Sequence, residues 1–264
     1  MKQLTKGKYT GDVVSKMIID DSIITTTHYS SKKNNPNWHY HENLHICFVF
    51  QGGKAETKKE ASYTQKGGSI FFYHAEETHR WISPNPISKS ANIEIGQAFL
   101  NKYSLKESDI KKAIYSNVSA KTLMLKMQQE MVMKEVNSKT AIESLLLELV
   151  SFSKSSPSKK APPWVIHLNE LLHDQWNEPM SLPEIAFIVG VHPITISKFF
   201  RKYFSCTLGE YQRKLKIEKS IQLIKESQLS LTEIAFLCGF TDQSHFTRNF
   251  KKMTGFLPKD FQKF

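Results

Sequence analysis

The segment His39-Tyr40-His41-Glu42-Asn43-Leu44-His45 concentrates imidazoles, and six of the ten histidines lie between His28 and His79. His39 and His41 are two residues apart, so on a strand they face the same side. A continuous strand would hold His39 and His45 about 20 Å apart. They converge only if the chain turns near Glu42-Asn43, where Asn favours a turn. Neutral imidazoles gathered at one point suit Zn, Fe, Ni or Cu. A second pattern is cationic. Residues 193–204 carry Lys198, Arg201 and Lys202 with no acid, and residues 243–253 carry Arg248, Lys251 and Lys252 with no acid. Two acid-free basic faces suit the phosphates of a nucleic acid.

The elements that hold those cations come from an internal repeat. Ser181-Leu-Pro-Glu-Ile-Ala-Phe-Ile-Val-Gly190 aligns with Ser230-Leu-Thr-Glu-Ile-Ala-Phe-Leu-Cys-Gly239, so one supersecondary unit is used twice. Each copy opens with a capping box, Ser181 with Glu184 and Ser230 with Glu233. A short helix then buries Ile185, Ala186 and Val189, or Ile234, Ala235 and Cys238. Gly190 and Gly239 supply the turn, where positive φ is tolerated. In the first copy Pro193 opens a second helix with Ile196, Phe199 and Phe200 inside. In the second, Asp242 caps a helix with Phe246 and Phe250 inside. This is helix-turn-helix geometry, with the second helix of each unit carrying the cations.

Residues 164–264 resemble the DNA-binding region of AraC family transcription regulators, in which a long helix joins two helix-turn-helix units. The resemblance is strongest at Ile234-Ala235, Gly239-Phe240, Asp242-Gln243-Ser244, Phe246, Arg248, Phe250-Lys251-Lys252, Gly255 and Pro258. It implies a joining helix from Leu208 to about Ser227. It puts base contacts on Ile194, Thr195, Ser197 and Lys198, then on Gln243, Ser244, His245 and Arg248. Phosphate contacts fall on Arg201, Lys202, Lys251 and Lys252. Arg248 could pair with guanine and Gln243 with adenine, whereas Ile194 offers only apolar contact. Two units on a rigid connector imply successive major-groove segments roughly 34 Å apart.

Upstream, residues from about 20 to 98 read as short strands broken by Gly52-Gly53 and Gly67-Gly68, hence a small sandwich or barrel. The segment resembles the cupin barrel, a sensor half common in AraC-type regulators. His39 and His41 match the HxH of the first motif, His45 stands where a glutamate is usual, and Gly52 matches. Gly68, Ile70-Phe71-Phe72 and His79 match the second motif, while Ala75 and Glu76 depart from its turn. The resemblance implies that His39, His41, His45 and His79 face one cavity, as ligands of a divalent metal or as the lining of an effector pocket. Trp38, Tyr40, Phe48, Phe71, Phe72 and Trp81 then build the barrel core or line the pocket.

From about 102 to 153 the pattern is helical, and Ile142, Leu145, Leu146, Leu149 and Val150 form one stripe. That stripe packs on the barrel or on a second copy of the chain. The expected class is α+β, with a cupin-like barrel over 1–100, a helical packing or dimerisation region over 101–153, a Ser/Pro/Lys-rich linker over 154–163, and the double helix-turn-helix over 164–264.

Composition narrows the function. No unbroken apolar run is longer than that of Ile46–Phe50, too short for a bilayer span, and no apolar segment follows Met1-Lys2 as a secretory signal would need. Cys47, Cys206 and Cys238 are too scattered for a disulfide scaffold, so a cytoplasmic protein with reduced thiols is expected. The net charge of +11 is shared by both halves. Residues 159–264 hold 15 Lys+Arg against 10 Asp+Glu; residues 1–158 hold 21 against 15. Segregation matters more: residues 164–197 have four acids and no Lys or Arg, and the cations begin at Lys198. The expectation is a sequence-specific DNA-binding regulator, not an enzyme, responding to a small molecule in the barrel. A homodimer and a contact with RNA polymerase are further partners, and a membrane is not. The alternatives are a metal-dependent, oxygenase-like cupin enzyme with a DNA-binding tail, or a non-specific architectural DNA binder.

Overall fold

A computed structural model describes residues 1–30, 37–59, 61–82, 87–155 and 161–264. Ten strands come first: β1 (Lys2–Leu4), β2 (Asp12–Ile19), β3 (Ser22–Ser30), β4 (His39–His41), β5 (His45–Gln51), β6 (Ala55–Lys58), β7 (Ser62–Thr64), β8 (Ile70–Tyr73), β9 (His79–Ile82) and β10 (Ile87–Glu94). They form two five-stranded sheets, ordered β1-β4-β9-β6-β7 and β2-β3-β10-β5-β8. The strands start at Lys2, well before residue 20, because β1 pairs in parallel with β4 and β2 forms a hairpin with β3. The charged, half-exposed β2 hides this from a hydrophobicity reading.

The middle of the second sheet, β10 and β5, is buried on both faces, which explains the unbroken run Ile46–Phe50. Ile46, Phe48 and Phe50 enter the main core, while Cys47, Val49 and Tyr73 form a small inner cluster. β10 alternates in the same way. Ala91 and Ile93 join the main core, and Ser88, Ser90, Asn92 and Glu94 are buried on the other side. The side facing the first sheet is therefore unusually polar.

Helices follow: α1 (Gln97–Lys102), α2 (Glu107–Ser116), α3 (Ala120–Met133), α4 (Ser138–Ser155), α5 (Pro163–Asp174), α6 (Leu182–Val189), α7 (Pro193–Phe204), α8 (Leu208–Glu226), α9 (Leu231–Leu237), α10 (Gln243–Thr254) and α11 (Pro258–Lys263). α4 packs on α2, α3 and β2, with Ile142, Leu146, Leu149 and Val150 buried within the chain. α3 is buried almost all round, through Leu123, Met124, Leu125, Met127 and Met131. Such a helix must be covered on every side, and α4, β2, α8 and α10 cover it.

One apolar core consequently runs from Phe48 and Phe50 through Met124 and Met127 to Ile217, Ile221, Phe246 and Phe250. The α5–α7 region has a separate core of Val165, Leu168, Leu172, Ile185, Ile196, Phe200 and Phe204. Of the linker expected over 154–163, residues 156–160 lie outside the described residues, and its ends are helical instead, since α4 reaches Ser155 and α5 begins at Pro163. No single helix among the described residues is long and apolar enough to cross a membrane.

Candidate nucleic-acid interface and barrel site

Both repeats form helix-turn-helix units. Ser181 N–H donates to Glu184 Oε2 at 2.7 Å, and Glu184 N–H donates back to Ser181 Oγ at 3.4 Å. Ser230 and Glu233 repeat this at 2.7 and 3.2 Å. A third box, Thr207 with Glu210, starts the joining helix α8 and was not foreseen. Its signature, Thr207-Leu-Gly-Glu210, is legible as a capping box. Gly190 and Gly239 adopt φ of +76° and +67° at the two turns. A Cβ at Gly190 would meet open space, whereas one at Gly239 would lie 2.6 Å from the carbonyl oxygen of Asn177.

α7 and α10 are the second helices. Asp242 caps α10 by accepting from His245 N–H at 2.7 Å, and His192 Nδ1 accepts from Ile194 N–H at 3.3 Å at the start of α7. Ile196 and Phe200 are buried on α7, but Phe199 is 37% exposed, against the expected inner stripe. The buried row is Ile196, Phe200 and Phe204, spaced by four, which turns Phe199 outward beneath Lys198, whose Nζ lies 5.5 Å from its ring centroid. The surface of α7 presents Ile194, Ser197, Lys198, Arg201 and Lys202, with Thr195 half-buried.

The surface of α10 presents Gln243, Ser244, Arg248, Lys251 and Lys252. His245 is half-buried, edge-on to Phe240. Gln243 Oε1 accepts from Thr232 Oγ1 at 2.7 Å, which leaves its NH₂ outward. Lys252 borders a groove between α3, α4 and α10 that also holds Lys126, Glu130 and Glu148.

In the barrel, a bend at Glu42 and Asn43 folds β4 back towards β5. It brings the His41 and His45 rings to 4.3 Å between centroids. The ligand atoms of His39, His41 and His79 all lie within 4.8 Å of one another. His45 stands beside this triad, stacked on Tyr73 at 4.2 Å. His39 Nδ1 and His79 Nδ1 sit 3.1 and 2.9 Å from the carbonyl oxygens of Asn37 and Glu77. Those bonds put the proton on Nδ1 and leave Nε2 as the bare nitrogen. Burial, reinforced by the neighbouring His39, drives His41 down to about 3 and His79 far below the usual imidazole range. The cluster is therefore neutral near pH 7, as metal ligation requires.

The foreseen aromatics divide. Trp81 faces the interior, edge-on to Tyr29. Phe48 and Phe72 instead point into the helix-facing core, and Trp38 lies under the Arg80 guanidinium. Several interior residues escaped the sequence reading. Lys54 Nζ lies 3.1 Å from the Tyr29 ring centroid and 4.6 Å from that of Trp81. Glu56 Oε2 accepts from Tyr73 OH at 2.9 Å and from Gln65 Nε2 at 2.8 Å. Ser88 Oγ and Gln65 Oε1 are buried without a hydrogen-bond partner, and Ser90 Oγ reaches only the Cys47 thiol. The alternation Ser88, Ser90, Asn92, Glu94 was the available signal for a polar inner face.

A family profile described as a helix-turn-helix domain matches residues 179–263. Residues 179–263 thus form a helix-turn-helix domain of that family. Within it, the transcriptional regulator GbdR of Pseudomonas aeruginosa is 32% identical over 90 residues. That match covers 34% of this chain and only 24% of GbdR, so this chain aligns with about a quarter of that relative. The Msm operon regulatory protein of Streptococcus mutans is 22% identical over 283 residues, 96% of this chain and 97% of that protein. A solved structure of ToxT from Vibrio cholerae has a TM-score of 0.38 and 14% identity, covering 94% of this chain and 98% of that one. The matched helix-turn-helix domain spans both repeats, and both α7 and α10 lie within it.

Proposed function

We propose that this chain is a sequence-specific DNA-binding transcription regulator whose barrel binds a small-molecule effector. The observation that carries the reading is the duplicated helix-turn-helix with matched caps and two outward basic second helices. In this reading Ile194, Thr195, Ser197 and Lys198 on α7, with Gln243, Ser244, His245 and Arg248 on α10, meet base edges. Arg201, Lys202, Lys251 and Lys252 meet phosphates.

The effector's influence passes through α3. The hydroxyl of Thr26 on β3 lies 2.9 Å from Gln128 Nε2, and Lys121 on the same helix is paired with Glu218 on α8 at 2.8 Å. An effector that prefers one placement of β3 would therefore shift the second DNA-reading unit. Selection of bound duplexes from a random pool with the full chain tests the function. A two-part consensus is expected, and enrichment of no sequence would favour an architectural binder.

A metal in the barrel is a second reading, supported by the His39, His41 and His79 triad and by the carbonyl partners of two of its Nδ1 atoms. These three residues would hold a divalent transition metal, with His45 beside them, in a cupin-like site. The metal would add an electrophilic centre for an oxygen- or nitrogen-bearing effector. The regulator reading stands above a cupin enzyme because the matched relatives are described as regulators. A homodimer and a contact with RNA polymerase belong to the same proposal.

A further inference from the structure

The barrel interior holds a cation whose surroundings are incomplete. Lys54 follows the Gly52-Gly53 turn and is only 6% exposed. Its ammonium rests on the faces of Tyr29 and Trp81. Among the described residues it makes no hydrogen bond or ion pair. Two aromatic faces offset part of the cost of taking an ammonium out of water, and they satisfy none of its three N–H groups.

Polar atoms around it also lack partners. Ser88 is the cross-strand partner of Tyr29, the ring beneath Lys54, and Ser90 lies two residues along the same strand face. Ser88 Oγ and Gln65 Oε1 are buried without partners, and Ser90 Oγ reaches only the weakly bonding Cys47 thiol. Buried polar atoms left this way in a folded protein call for a partner from outside the chain. The nearby Glu56 carboxylate attracts Lys54 through space, but it is held by Tyr73 and Gln65 and comes into no ion-pair contact with the ammonium.

We infer that the interior binds a small carboxylate that also bears hydroxyl groups, with the carboxylate on Lys54 and the hydroxyls reaching Ser88, Ser90 and Gln65. This rests on the reading of the barrel as the effector domain and names the class of effector. The ammonium supplies the charge, the serine hydroxyls donate to the anion or its neighbouring oxygens, and Gln65 Oε1 accepts from a ligand hydroxyl. Burial lowers Lys54 to about 8, so it still carries its proton near neutral pH. The flat faces of Tyr29 and Trp81 suit the C–H face of a polyhydroxylated chain or ring. An uncharged sugar would leave the ammonium without an anion in contact, and a long fatty acid would bury its tail against serine hydroxyls. A hydroxy acid or sugar acid fits both features.

The test uses the full chain and two sets of probes in thermal-shift and calorimetric titrations. One set is D-gluconate, D-galacturonate and L-lactate; the other is their uncharged counterparts D-glucitol, D-galactose and 1,2-propanediol. At least one acid should raise the melting temperature by several degrees while its neutral counterpart does not. Lys54→Met should weaken that acid at least tenfold. In the absence of ligand, Lys54→Met should melt above the parent, because a buried ammonium with no anion in contact is removed. A lower melting temperature for Lys54→Met would make Lys54 a structural cation and overturn the inference. Binding of the neutral compounds, equal in parent and Lys54→Met, would also overturn it while leaving the effector reading intact. If no probe of either set binds, the acid class is refused, and the effector reading is then judged by its own DNA-binding experiments.

Discussion

Lys121 Nζ on α3 and Glu218 Oε1 on α8 lie 2.8 Å apart, both largely buried, and tie the helical layer of the barrel to the joining helix of the DNA-binding region. Lys121→Met leaves the Glu218 carboxylate without its partner. The expected cost is about 1–2 kcal/mol in urea denaturation of the full chain. Replacing both, as Lys121→Met with Glu218→Leu, should recover most of that loss. Double-variant stability no better than the single would remove the pair's role.

DNA reading should divide between two cations. Arg248→Ala is expected to relax preference at one base position, costing about 1–3 kcal/mol on the matched site only. Lys202→Ala should weaken all sequences alike and reduce the salt slope by about 1. Equal losses for Arg248→Ala on matched and mismatched duplexes would assign that residue to the backbone.

The two turn glycines separate conformational strain from steric clash. Gly190→Ala carries the cost of a left-handed backbone alone, about 1–2 kcal/mol. Gly239→Ala adds a Cβ 2.6 Å from the backbone oxygen of Asn177, so its loss should be clearly larger. Thermal melts of the two variants decide it.

Helix caps set an acid response. Hydrogen bonds from Ser181, chiefly its side chain and then its backbone, hold Glu184 below the usual carboxylate range. The Ser230 backbone and side chain do the same for Glu233. A folded-state value below the unfolded one means stability that is full above the unfolded value and lost as pH falls through the folded one. Melting temperature should therefore fall as pH drops below about 4.5, the ordinary glutamate value. The double variant Glu184→Gln, Glu233→Gln should show a shallower fall over the same range.

The histidine triad makes a stoichiometric prediction. Chain prepared without a polyhistidine tag and dialysed after exposure to zinc should retain about one equivalent by elemental analysis. His41→Asn and His79→Asn should each abolish retention. Equal retention by these variants would send the ion elsewhere.

The helix-turn-helix half was the more legible because its signals are local: the caps, the turn glycines and the four-residue pairs Ile196 with Phe200 and Phe246 with Phe250 each sit within a single repeat. Phe199 misled because the inner row of α7 is the narrow line of Ile196, Phe200 and Phe204, and Phe199 falls at its edge. In the barrel, the two-residue spacing of His39 and His41 was readable, and so was the need for a bend before His45. Lys54 was not. A lysine after two glycines reads as a loop cation, and only the pairing of β6 with β9 turns it onto Trp81. The role of α3 was equally hidden, since Leu123-Met-Leu125 marks a buried helix without naming what buries it.

The continuous core from Phe50 to Phe250 bears on how such chains can be recombined. The two helix-turn-helix units are not equivalent modules: the first packs on a core to which the region before it gives only Val118 as a buried residue, and the second shares its packing with α3. A chimaera joined at residues 154–163 would pair the second unit with a foreign surface where Met124, Met127 and Gln129 now lie. Only N-terminal regions carrying a compatible α3 could be grafted there, so that region and the second unit are constrained to change together more tightly than that region and the first.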